Sequence, residues 1–179
     1  SDDTHLFDQW ILLSDGNDIV DVSRVTTAAL KDDASAYAVD FDIETGNKKF
    51  GHLQILDAKR TAALYKNGTG VVSLSFAARQ AGGGATKFKA AVLAWTSTAD
   101  SVTSDIVSAW GAEGTTPTWI ANVTLESTIT ELTLTTSVQR FEIENIALDT
   151  ASTANLLVFL WSDDLTTVAG TDHVYLSGV

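Results

Sequence analysis

Between Ala36 and Glu44 the chain alternates strictly, with Tyr37, Val39, Phe41 and Ile43 on one parity and Ala38, Asp40 and Asp42 on the other. A period of two sends successive side chains to opposite faces of extended backbone, so this stretch predicts a strand with one dry and one wet face. Val71 to Ala78 follows the same rule: Val72, Leu74 and Phe76 fall on one side, Val71, Ser73 and Ser75 on the other. Further strands are predicted at Phe7 to Leu13, Ile19 to Val25, Phe88 to Trp95, Trp119 to Leu125, Gln139 to Ala147, Leu156 to Trp161 and His173 to Leu176. Turn formers separate these runs, among them Asp15-Gly16-Asn17, Thr45-Gly46-Asn47, Asn67-Gly68, Gly82-Gly83-Gly84 and Ala169-Gly170. Many short strands joined by Gly and Asn turns predict an all-β antiparallel sandwich rather than alternating strands and helices.

Only Asp57 to Tyr65 carries a helix signal of its own, with Asp57 at the N-cap position and Ala and Leu within. Ile106, Val107 and Trp110 fit a short helical stripe, which predicts a helical turn inside a long loop over residues 97–118. No composition break divides the 179 residues, so one β-sandwich domain spanning 1–179 is expected. The chain has no methionine even at position 1, which makes it a fragment or processed product on this reading.

The hydrophobic share of 45% against 19% charged supports a substantial core. Twenty-three acidic against 11 basic residues give a net charge of −12, a surface that repels polyphosphate, so nucleic acid is not an expected partner. The lack of cysteine excludes disulfides and thiolate metal sites. No apolar run reaches the roughly 18 residues of a membrane-spanning helix, so membrane insertion is not expected.

Signs of catalysis are weak. His5, His52 and His173 lie far apart and outside any zinc-binding spacing, so each reads as a surface or structural histidine. Gly82-Gly83-Gly84 lacks the Lys or helix-opening pattern of a phosphate loop. Asp40 with Asp42, and Glu142 with Glu144, share strand faces at about 7 Å, a spacing compatible with glycoside hydrolysis. Carboxylates alternating with apolar residues are also what any wet sheet face shows, and no enzyme is expected.

The closing segment Tyr175-Leu176-Ser177-Gly178-Val179 resembles the start of an "LSGVQLE"-like final strand. Phe7-Asp8-Gln9-Trp10 resembles an early "DRW" strand, Val71 to Arg79 a "VTLSFWAK" strand, and Thr135 to Phe141 a "TTSWQRY" segment. In that order these motifs resemble the carbohydrate-binding-module-like jelly rolls of tailed-phage virion proteins. The chain departs from the pattern at Gln9, where Arg is usual, and at Ala77 and Val138, where Trp is usual. The resemblance implies an antiparallel jelly-roll sandwich of the galactose-binding kind and a structural role on a virion, in a tail fibre, spike or capsid decoration. It also implies partners among other virion proteins and copies of itself, as a trimer, and it allows recognition of a host-surface glycan. Alternatives are a carbohydrate-binding module of a secreted glycan-active protein and a glycoside hydrolase. Resembling modules carry a structural calcium near their termini, and Asp2, Asp3 and Asp172 would supply its oxygen ligands here.

Sugar recognition uses flat rings against which the apolar face of a pyranose stacks. Trp110 and Trp119, in or beside the long loop, are candidates for such platforms, with burial against a sheet or a neighbouring subunit as the competing reading. Trp10, Trp95 and Trp161 lie in apolar strands and read as core.

Overall fold

The computed structural model describes residues 4–6, 9–65, 70–83, 87–163 and 171–179. The strands are β1 Thr4–His5, β2 Trp10–Ser14, β3 Val20–Val25, β4 Ala38–Ile43, β5 Phe50–Leu56, β6 Val71–Ala81 and β7 Lys87–Trp95. They continue as β8 Val107–Ala109, β9 Thr118–Trp119, β10 Val123–Leu125, β11 Thr130–Thr133, β12 Gln139–Ala147, β13 Asn155–Ser162 and β14 His173–Ser177. Among the described residues one α-helix, α1 Ala58–Tyr65, follows β5, capped as predicted by Asp57, whose Oδ1 accepts from the Arg60 amide at 2.7 Å, and a single 3-10 turn spans Ala28–Leu30.

One sheet runs β1-β2-β5-β13-β7-β10, with β11 also on β7; the other runs β12-β6-β14-β4-β3, and every recorded pairing is antiparallel. This is the antiparallel sandwich that the alternation predicts, in the jelly-roll form that the resemblance implies. Between the sheets lies a core in which Leu12, Phe50, Phe88 and Leu160 of one meet Phe41, Phe76, Val174 and Leu176 of the other.

A second core covers the opposite face of the larger sheet. Ile11, Leu13, Leu53, Leu93, Leu157, Phe159 and Trp161 point away from the sandwich, and Ile106, Val107, Trp110 and Trp119 close over them. The segment 97–122 is therefore a flap, with β8 and β9 paired at its tip. Because β7 and β13 are buried on both sides, they read as unbroken apolar runs (Ala90–Trp95 and Leu156–Trp161) without alternation.

Three expectations change. The stripe at Ile106, Val107 and Trp110 is extended rather than helical, because its apolar residues lie flat on the sheet. The run from Trp119 to Leu125 is two short strands, broken at Asn122 with φ of 67°. β1, β5 and β11 are additional strands; β5 hides its rhythm because Gly51 and Leu53 face one core while Phe50 and His52 face the other.

Candidate functional site

Where the two sheets meet near the start of β4 and the end of β14, they leave a cavity of about 230 Å³. β2 and β5 contribute Trp10 and His52 to its floor, and β4 and β14 contribute Val39 and Leu176. All four side chains belong to inward-facing positions and are at most 9% exposed. The rim is Ser35, Ala36 and Tyr37 on one side and Ser177, Gly178 and Val179 on the other. The rim is built locally: the Asp32 amide donates to Ser177 Oγ at 3.0 Å, tying the segment before β4 to the end of β14. The Arg24 guanidinium sits over the Tyr37 ring, 5.4 Å from its centroid.

His52 is the unusual group. Its ring stacks on Trp10 with centroids 4.0 Å apart and planes within 4°, and meets Phe41 edge-on at 5.2 Å. Burial pushes its pKa down to about 3, so the imidazole is neutral near neutral pH. Its Nδ1 is buried without a hydrogen-bond partner, a situation native interiors avoid. No charged side chain lines the cavity.

The residues singled out from sequence lie elsewhere. Trp110 is 9% exposed and packs against Phe159, with centroids 6.1 Å apart; Trp119 meets Phe159 and Trp161 edge-on at 5.5 and 5.8 Å. Both thus pack in the second core, Trp110 buried and Trp119 half-buried. Asp172 is buried beside Gly82, and its carbonyl accepts from the Ile43 amide at 2.9 Å. Asp2 and Asp3 lie outside the described residues, among which no group of three or more metal-ligating side chains gathers.

Asp40 and Asp42 do share the outer face of the smaller sheet, with His173 opposite Asp42 in register. His173 Nδ1 lies 2.9 Å from Asp40 Oδ1 and Nε2 lies 3.8 Å from Asp42, so the carboxylate pair holds a histidine between them. Burial raises the Asp40 pKa, against the hydrogen bond and charge of His173. Glu142 and Glu144 are both exposed, with a register shift in β12 between Ile143 and Ile146.

No protein-family model and no curated protein matches this chain. Solved structures do. A family 61 carbohydrate-binding module in complex with β-1,4-galactotriose superposes with a TM-score of 0.54 at 14% identity, over 97% of this chain and 87% of that one. A structure concerning carbohydrate-binding modules of the β-sandwich superfamily gives 0.60 at 11% identity, over 97% of this chain and 56% of that one. Tailspike protein 4 of bacteriophage CBA120 gives 0.56 at 9% identity, with 97% of this chain on only 19% of that one. At these identities the likeness is one of fold: the chain has the jelly-roll architecture of carbohydrate-binding modules.

The Trp10 and His52 cavity was not legible beforehand. Trp10 reads as core, and it is core, but at the open end of the sandwich. The one available signal was that His52 occupies the same parity as Phe50 in an apolar stretch.

Proposed function

We propose that this domain is a carbohydrate-binding module without catalytic activity, carried on a larger protein at a virion surface or outside a cell. The cavity carries the reading: it opens to solvent, its rim bears Tyr37 and two serines, and its floor is a stacked aromatic pair. Aromatic rings with a few converging polar groups are the usual composition of a sugar site. The fold likeness to carbohydrate-binding modules supports it. The hydrolase reading loses ground, because the most buried carboxylate of its candidate pairs, Asp40, is engaged by His173.

A virion setting, with trimer formation and contacts to other virion proteins, is proposed on two supports: the order of the Tyr175–Val179, Val71–Arg79 and Thr135–Phe141 motifs, and the likeness to a tailspike segment. The test is an array of plant, animal and bacterial-surface glycans probed with the intact chain. Binding to a restricted set, weakened by Trp10→Ala, is expected; a flat array overturns the reading.

A further inference from the structure

We propose that a second cavity, on the flap side of the larger sheet between β2, β5 and the start of the flap, seats one neutral pyranose ring held by Gln9, Asp57 and Asp100. It shares no lining residue with the cavity over Trp10, so it adds a site to the glycan-binding reading without depending on that cavity.

The space is about 400 Å³, within the roughly 300–1,000 Å³ of small-molecule pockets. Its floor is aliphatic. Ile11 and Ile55 point out of the sheet on the flap side, and Val102 of the flap stands with them. Ile55 and Val102 are only half-buried, and Gln9, Asp57 and Asp100 are exposed, so a ring in the cavity reaches every group it needs.

The polar groups are fixed before any ligand arrives. Asp100 Oδ1 accepts from the buried Asn155 side-chain amide and from the Ala58 amide, both at 2.7 Å, and the Asp100 amide donates to Asn155 Oδ1 at 2.9 Å. The bonds from Asn155 and Ala58 hold the Asp100 pKa below its ordinary value, which keeps it a carboxylate at neutral pH. Asp100 Oδ2 has no hydrogen-bond partner among the described residues. Arg60 Nη1 donates to Gln9 Oε1 at 2.8 Å, which leaves the Gln9 amide nitrogen as the donor for a ligand. Gln9 and Asp100 also both adopt left-handed backbone, with φ of 67° and 56°. Residues with a Cβ hold that conformation at a cost, and such strain gathers at ligand sites. Capping of α1 accounts for Asp100 Oδ1; it gives no role to the strained Gln9 or to the open aliphatic floor.

This donor set selects a hydroxylated ring. A carboxylate accepts and an amide nitrogen donates, whereas a hydroxyl does both, so ring hydroxyls accept from Gln9 and donate to Asp57 and Asp100. The C–H face of the ring covers Ile55 and Val102. An ammonium leaves the Gln9 donor unmatched, and a ligand carboxylate meets Asp100 and the net charge of −12.

Methyl glycosides of glucose, galactose and mannose, with glucosamine and methyl glucuronide as charged counterparts, are titrated into the intact chain carrying ¹³C-methyl isoleucine and valine. The Ile55 and Val102 methyl resonances are expected to move saturably with at least one neutral glycoside. Gln9→Ala and Asp100→Asn are each expected to weaken that binding about threefold or more. If no neutral glycoside moves these methyls, the inference is overturned even where the array is positive, since the sugar then sits elsewhere. Tighter binding of glucosamine or of the glucuronide overturns it too, as does neutral-glycoside binding that both variants leave unchanged. Saturable shifts beside a flat array uphold this site and remove only the Trp10 cavity. Should Asp100→Asn unfold α1, Gln9→Ala decides, because Gln9 is exposed and its side chain bonds to the exposed Arg60.

Discussion

His52 owes its neutrality to desolvation: stacked on Trp10 and edge-on to Phe41, a protonated ring would lose its hydration without gaining a counter-ion. Its ordinary pKa of 6.5 falls to about 3 in the folded chain. Between those values the unfolded chain binds a proton that the native chain does not, so folding stability is whole above pH 6.5 and declines as pH falls toward 3. At pH 4.5, two pH units into that window, the loss is about 2–3 kcal/mol. Urea unfolding of wild type and His52→Phe at pH 7 and pH 4.5 isolates this contribution, because Asp40 and the other acids titrate in both. Wild type is expected to lose more between the two pH values; equal losses would show that His52 charges without penalty. A histidine's burial is settled by what the other strands bring to it, and Trp10 is 42 positions away, which is why its role could not be read locally.

At the level of elements, the flap is held by two buried lysines as well as by its apolar contacts. Lys49, just before β5, is fully buried, and its Nζ donates to the carbonyl oxygens of Trp110, Ala112 and Thr115 at 3.2, 2.8 and 2.9 Å. Asp163 lies 3.7 Å from Lys49 and 2.9 Å from Lys89, whose Nζ also reaches the Gly114 carbonyl at 3.2 Å. Two ammonium groups thus tie the loop's carbonyls to the larger sheet. Burial lowers the Lys49 pKa and the Asp163 charge opposes that shift. Lys49→Met keeps the stem and removes the charge, taking away the ammonium that the Trp110 and Thr115 carbonyls accept from and leaving Asp163 with Lys89 alone, and is expected to cost about 3–5 kcal/mol. Proteolysis at residues 111–115 and a red shift of tryptophan emission should accompany it as Trp110 and Trp119 lift. A variant as stable and as protected as wild type would mean the apolar contacts alone hold the flap. None of this was visible in the doublet Lys48-Lys49, which reads as surface. β5 was hidden likewise: Gly51 is there because a Cβ would stand 2.5 Å from the Phe159 ring, and a strand that serves two cores shows no single parity. β4 and β6 showed theirs because one of their faces is polar.

For the molecule as a whole, the charge and the Trp10 cavity are separated. The net charge is −12, while acidic side chains such as Asp21, Asp42 and Glu142 sit on the outer face of the smaller sheet and the cavity lining carries no charged side chain. Screening acts over about 10 Å at 0.1 M salt, so salt changes the long-range field but not hydrogen bonds made inside the cavity. The affinity for a neutral glycan should therefore change less than about twofold between roughly 0.05 and 0.5 M NaCl in calorimetric titrations. An anionic glycan meets a repelling field at low salt, and whatever weak affinity it has should rise as salt is added. A neutral glycan whose binding collapses with salt would instead be held through charged groups, and Arg24 and Arg140 on the rim and outer face would then replace Trp10 as the residues to test.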